Sequence, residues 1–274
     1  MSGKRLYHTE AIVLRRRDQG EADRVLTLCT PLGKLAVIAK GVRKVRSRKA
    51  GHLELFTHAR LVLARSRSSW DVVTQAETVA PNAVLRGDLV RGTYGRYVAE
   101  LYDRFVAEGE GSRPLFDLVQ RTLTYLCEAE PGRETVLLMR AYEQRLLALV
   151  GFRPEWDRCV GDGCGHPLEP GGNEPFGLDP ERGGALCPDC YRAARGERGV
   201  VPLSPPALRL LRACQREPFS RLRARPVPPG VLNEVERAAR HYITYHLEQD
   251  LRSGVFLRRV WREREHRGDS GNAV

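Results

Sequence analysis

Between residues 6 and 80 apolar and polar positions alternate in short runs. HTEAIVLRRRD, ADRVLTLCT, GKLAVIAKGV, FTHARLVLARS and SWDVVTQAETV are rich in aliphatic and β-branched residues. Turn signals such as Asp18-Gln19-Gly20 and Pro31-Leu32-Gly33 separate them. Alternation of this kind buries one face of a strand and leaves the other wet. Five strands in about eighty residues, with no helical stretch before Pro81, predict a small closed β-barrel. The OB-fold is the five-stranded barrel that binds oligonucleotides, and an SH3-like barrel satisfies the same pattern.

From Pro81 the period lengthens. Leu85, Leu89, Tyr97, Leu101 and Phe105 recur at helical spacing and end near Gly109. Leu115, Val119, Leu123 and Leu126 repeat the pattern, as do Val136, Met139, Tyr142, Leu146 and Val150 before Gly151. Their apolar side chains are expected in a core. Residues 152–200 lose periodicity. Helices resume after Ser204, an N-cap followed by Pro205 and Pro206, over roughly 205–216 and then from about Leu232 to Leu251. A short amphipathic stretch, GVFLRRVWRERE, precedes a polar tail. The expected fold class is α+β. It comprises a barrel over 1–80, a first part of a helical domain over 81–151, an insertion over 152–200, and a second helical part with a basic C-terminal segment over 201–274.

Charge sharpens this division. The 274 residues carry a net +11, and residues 1–80 hold 16 Lys/Arg against 7 Asp/Glu. Residues 81–150 hold 9 against 10, residues 151–200 hold 6 against 9, and the last 74 hold 14 against 8. Two basic ends flanking a near-neutral middle favour a polyanionic partner. The opening MSGKRLYHTEAIVLRRRD has no apolar h-region and no small-residue cleavage site, so export is not expected. No window approaches 18 consecutive apolar residues, so no membrane partner is expected either. Seven cysteines, an odd number, fit a reducing cytoplasm better than a disulfide framework.

Four of those cysteines, Cys159, Cys164, Cys187 and Cys190, follow the order C-x4-C-x22-C-x2-C. Two close pairs joined by a Gly/Pro-rich loop can turn four thiolates toward one point, as a tetrahedral structural zinc requires. One structural Zn2+ per chain is therefore expected. His166 and Asp162 stand nearby as substitute ligands, and two unmetallated thiol pairs are the plain alternative. No βαβ pattern surrounds Cys187, which disfavours a redox Cys-x-x-Cys.

Residues 40–49 read KGVRKVRSRK and place Lys40, Arg43, Lys44, Arg46, Arg48 and Lys49 in one run without an acid. The nearest acid downstream is Glu54. Charge runs are by default solvated loops; on the predicted barrel, without counter-charges, these six become candidate nucleic-acid contacts. Phe56 and Trp70 are candidate stacking platforms, and each could equally fill the barrel core. No phosphate loop, H-E-x-x-H, G-x-S-x-G or dinucleotide fingerprint occurs, and the seven histidines are dispersed, so no catalytic activity is expected.

The N-terminal string EAIVLRRRDQGEADRVLTLCTPLGKLAVIAKGVRKVRSRKAGHLELF resembles the opening of the RecO family of bacterial DNA repair and recombination mediators. The likeness rests on Ile12-Val13-Leu14, Gly20-Glu21-Ala22-Asp23, Thr27, Thr30, Gly33-Lys34, Ala39 through Arg43, Ser47, Leu53-Glu54-Leu55-Phe56, and Asp71 through Glu77. It continues through Gly183 to Cys187 and Cys190 and weakens after residue 200; the x4 gap between Cys159 and Cys164 departs from the family's commoner x2. The resemblance implies an N-terminal OB-fold that binds single- and double-stranded DNA without sequence preference and anneals complementary strands. It implies as partners RecR and the C-terminal tail of single-stranded DNA-binding protein, with RecA loaded indirectly, in a cytoplasmic, nucleoid-associated setting. On matching positions it makes Lys40, Arg43, Lys44, Arg46, Arg48 and Lys49 candidate DNA contacts. Arg252, Arg258, Arg259, Arg262, Arg264 and Arg267 could add a second surface, or the same segment could pack Phe256 and Trp261 on the helices. The competing expectation is a general nucleic-acid-binding OB protein with a structural zinc ribbon and no mediator activity.

Overall fold

Strand β1 (Leu6–Gln19) is long enough to serve two neighbours. Its first half pairs with β4 (His58–Ala64), from Leu6 opposite Ala64 to Ile12 opposite His58. Its second half pairs with β2 (Asp23–Thr30), ending at Gln19 opposite Asp23. A register shift between Val13 and Arg15 marks the bulge at which the strand changes partner. β2 pairs with β3 (Gly33–Ala39), β4 pairs with β5 (Asp71–Ala80), and a short parallel contact between β3 and β5 closes the ring. The order β1-β2-β3-β5-β4 is the closed OB arrangement, which settles the choice between the two barrels in its favour. This computed structural model describes residues 5–66, 70–248, 251 and 253. The amphipathic stretch from Gly254, with Phe256, Trp261 and Arg258 through Arg267, lies outside the described residues, as does Arg252.

Inward alternation builds the barrel core from Leu26 and Leu28, Val37 and Ala39, and Ala59, Leu61 and Leu63. Each such aliphatic side chain contributes about 1.5–3 kcal/mol by leaving water. One expectation fails between β3 and β4, where Ala50–Leu53 forms a 3-10 turn that drops Leu53 into the core. Gly33, at the β2–β3 turn, has φ +139°, and a Cβ there would lie 2.7 Å from the Glu110 carbonyl oxygen. That close approach lets Lys34 N–H donate to Glu110 O at 2.7 Å.

Among the described residues two compact units emerge, one running from residue 5 to 129 together with Leu251 and Ser253, the other from 130 to 248. In the first, α1 (Val84–Gly87) and α2 (Leu89–Phe105) replace the single predicted helix, because Asp88 leaves the helical path and caps α2 by accepting from Arg91 N–H. Leu89, counted with the core by its spacing, therefore sits at the first turn and is exposed. α3 (Arg113–Glu128) follows, with Ser112 accepting from Leu115 N–H.

The second unit opens with α4 (Arg133–Leu149). Two short strands, β6 (Phe176–Asp179) and β7 (Gly184–Leu186), with α5 (Pro188–Ala193), occupy the stretch where periodicity is lost, and β8 (Val201–Leu203), just past its end, pairs with β6. Ser204 caps α6 (Pro205–Arg216) as predicted, accepting from Ala207 N–H, while Glu234 holds the Ser204 hydroxyl at 2.6 Å. A six-residue helix, α7 (Phe219–Ala224), was too short for its period to register. α8 (Pro229–Leu247) starts earlier than expected and stops at Glu248, whose φ of 53° is left-handed. α4, α6 and α8 pack against one another, and Leu137, Leu138, Tyr142 and Leu146 of α4, Leu208 and Leu211 of α6, and Val235, Ala239 and Tyr242 of α8 are buried. Among the described residues, no helix is long and apolar enough to cross a membrane.

Candidate nucleic-acid interface and four-cysteine cluster

The run Lys40–Lys49 leaves β3 as consecutive turns stapled to the barrel. Val42 is buried, Gly41 N–H donates to Asp23 Oδ1 at 2.7 Å, and Arg43 N–H donates to Ala22 O at 2.9 Å. Lys40, Lys44, Arg46 and Arg48 are exposed and form no ion pair among the described residues. Arg43 does meet an acid: its guanidinium lies 3.4 Å from Asp18 Oδ2 and donates to Gly20 O at 3.1 Å. The hydrogen bond from Arg24, followed by nearby arginines including Arg43, holds the Asp18 carboxyl below its ordinary value. Lys49 turns the other way. Its ammonium donates to Val73 O at 2.8 Å, and partial burial lowers its pKa despite Asp23 nearby. Five of the six predicted cations thus reach the surface of this loop, and the sixth ties the loop to β5.

Strand parity adds residues that a search for charge runs passes over. Arg15 and Arg17 sit opposite Thr27 and Val25, on the outer face of β1, and both are exposed. Arg16, one position out of phase, turns to Glu54 at 2.5 Å. The Arg17 guanidinium lies 6.0 Å from the Trp70 ring centroid, and Trp70 itself is half-buried. The Arg-Arg-Arg triplet already signalled this, because alternation sends its outer two members to one side. Phe56 leaves the list of stacking candidates. It is 1% exposed, adopts a left-handed φ of 67°, and its ring fills the space above Gly95.

In the second unit the four sulfurs of Cys159, Cys164, Cys187 and Cys190 all lie within 4.8 Å of one another. Cys164 Sγ and Cys187 Sγ are 3.9 Å apart, against about 3.8 Å for two corners of a tetrahedron with 2.3 Å zinc–sulfur bonds. Cys159 Sγ accepts N–H groups from Gly161 at 3.4 Å and Cys187 at 3.1 Å. Burial raises the Cys159 and Cys190 thiols, whereas the His166 backbone N–H lowers Cys164. Thiols crowded this way resist ionising together, and a cation at their centre removes that penalty. Four sulfurs with N–H donors suit a soft or borderline metal.

The two substitute ligands do not join the cluster. His166 is exposed, with only its backbone engaged near the sulfurs, and Asp162 pairs with Arg182 at 3.3 Å. The x4 spacing works because Gly161 and Gly163 let the turn widen. Gly163 takes φ +67°, and a Cβ on Gly161 would fall 2.7 Å from Cys190 Sγ. The other cysteines are quiet thiols: burial pushes Cys29 and Cys214 up to about 12 and also raises Cys127.

Comparison with known proteins accounts for both halves of this architecture. The family model described as Recombination protein O N terminal matches residues 1–82, and that described as Recombination protein O C terminal matches residues 86–254. The chain is 42% identical over 253 residues to the DNA repair protein RecO of Roseiflexus sp. (strain RS-1), spanning 92% of this chain and 85% of that one. It is 37% identical over 256 residues to the protein of the same name from Pelotomaculum thermopropionicum, covering 93% and 94%. With the counterpart from Heliobacterium modesticaldum, identity is 38% over 263 residues, covering 94% and 91%. A barrel closed in OB order, a four-cysteine cluster, and family matches that run almost end to end lead to one conclusion: this chain belongs to the RecO family.

Proposed function

We propose that this chain is a non-enzymatic mediator of DNA repair and homologous recombination. In this reading it binds single- and double-stranded DNA, anneals complementary strands and, with RecR, helps load RecA onto single strands coated by single-stranded DNA-binding protein, whose C-terminal tail it contacts. The observation that carries it is the exposed cationic loop, Lys40, Arg43, Lys44, Arg46 and Arg48, on an OB barrel of a RecO-family chain. Arg15 and Arg17 extend the cationic surface along β1, and Trp70 supplies a half-buried ring beside Arg17.

Annealing by this route needs no bond chemistry. Cations screen the repulsion between two strands, and loose, salt-sensitive backbone contacts leave base edges free to pair. The four cysteines hold one structural Zn2+ per chain, which fixes the finger within its own unit. Residues 151–200 carry 9 acids against 6 bases and make a poor DNA surface. The setting that fits these roles is the nucleoid of the cytoplasm.

Annealing of complementary oligonucleotides coated with single-stranded DNA-binding protein tests the proposal. A clear acceleration that depends on the cationic loop supports it. Binding without acceleration would reduce the chain to a general nucleic-acid-binding OB protein with a zinc ribbon.

A further inference from the structure

Val45 is the most exposed large hydrophobic side chain among the described residues, at 105% of its reference area, with Leu32 next at 79%. Its neighbours are the exposed Lys44 and Arg46. An isolated surface valine means nothing by itself. This one is held out at the tip of a braced loop. Lys44 N–H donates to Gly41 O at 3.2 Å, and Ser47 N–H donates to Lys44 O at 2.9 Å, so Val45 lies within the second of two successive turns. Val42 and Lys49 fasten the loop to the barrel on either side. The chain therefore buries Val42 and displays Val45, three residues later, instead of folding both inward.

We propose that Val45 is an aliphatic wedge that enters the base stack of bound nucleic acid while Lys44 and Arg46 hold the phosphates on either side. The inference rests on the nucleic-acid reading above and adds a structural consequence to it: one base step is unstacked where the loop tip lands. Apolar side chains carried between cations do this in proteins that kink DNA, because the cations supply affinity for the backbone and the apolar tip is desolvated only between bases. Charge complementarity selects this occupant, since an apolar protein patch would gain nothing from four unpaired cations around its anchor. A strand held with one step open also presents unstacked bases for pairing, which suits annealing.

The test uses the full-length chain and single-stranded oligonucleotides containing 2-aminopurine, whose emission rises on unstacking, together with anisotropy titrations over a range of salt. The native chain is expected to raise emission at saturation. V45S is expected to bind with an unchanged salt slope, about five- to tenfold lower affinity, and no rise in emission. V45L is expected to restore both signals. Salt-sensitive binding by the native chain with no emission change, or an equal rise with V45S, would overturn the wedge while leaving the nucleic-acid reading intact. Absence of binding by the native chain would overturn that reading itself, and the wedge with it. Val45-dependent retention on phosphatidylglycerol vesicles, with DNA binding unaffected by V45S, would assign the tip to a lipid surface and also overturn the proposal.

Discussion

Gly161 lies directly beneath the Cys190 sulfur, so that a methyl group on Gly161 would sit 2.7 Å from Cys190 Sγ and 3.3 Å from Cys159 Sγ. Sulfur cannot yield there without leaving its place among the four. Gly161→Ala should therefore lower metal affinity by at least about tenfold, the range that follows from disturbing groups around a ligand set. Gly171→Ala is the control, because a Cβ at that position meets nothing within 4 Å. Zinc retention against a chromogenic chelator measures the difference, and equal retention by both variants would show that the cluster tolerates the displacement.

Phe56 and Trp70 are equal candidates for stacking in the chain, each able to fill the barrel core instead, and the fold buries Phe56 while leaving Trp70 half-buried. Phe56 N–H donates to Val13 O at 2.8 Å, Asn82 donates to Phe56 O at 2.9 Å, and the ring is packed over Gly95. Phe56→Ala should cost about 3–5 kcal/mol of stability by the usual cost of an aromatic cavity. Trp70→Ala should leave the unfolding midpoint nearly unchanged and weaken single-stranded DNA binding by about 1–3 kcal/mol if a base stacks there. Chemical denaturation and DNA titration of the two variants separate the roles, and the converse pattern would exchange them.

The barrel strands were legible because each has one buried face, so that alternation at residues such as Leu26, Leu28, Val37 and Ala39 carries the signal directly. Ser204 was legible because a cap with two prolines behind it has few other uses. The strands of residues 176–203 were not. They are three or four residues long, and all four positions of Phe176–Asp179 are buried, so no alternation exists to be seen. The gathering of the four cysteines was legible from spacing alone, whereas the direction of Lys49 was hidden: composition records its charge and says nothing of the Val73 carbonyl that draws it inward. The counter-charge on Arg43 was hidden for the same reason, since Asp18 is remote in sequence and adjacent only across the hairpin end.

Two histidines set the expected response to acid. Burial is the leading cause that lowers both His58 and His246 below the ordinary 6.5. At His58, Glu10 at 3.3 Å favours the charged ring, while Arg60 and Arg113 oppose it. Because folding makes these rings harder to protonate, the unfolded chain takes up more protons as pH falls. Their contribution to stability is then complete above about pH 6.5 and is lost as pH drops through the lower folded values. The urea midpoint should fall between about pH 7.5 and pH 5, and the fall should be smaller in His58→Gln and His246→Gln. A midpoint that rises over that interval would show that the carboxylate partner outweighs burial.

The cationic loop gives the most discriminating prediction, because its lysines divide into free and tethered. Reversing Arg43, Lys44 and Arg46 to Glu should weaken DNA binding and reduce the log–log salt slope by roughly two units, at about 0.7–0.9 for each phosphate no longer neutralised. Zinc content should stay the same, since the cluster belongs to the other unit. Lys49→Met removes a cation of the same run, yet its ammonium is already bonded to Val73 O. That variant should lose about 1 kcal/mol of stability from the missing hydrogen bond and keep its salt slope. Lys44→Met, with an exposed side chain and no ion pair among the described residues, should do the reverse. Salt-dependent titrations and denaturation curves for the two single variants decide the matter. An equal fall in slope at both positions would mean that Lys49 swings out to the strand on binding, and that the loop rearranges in the complex.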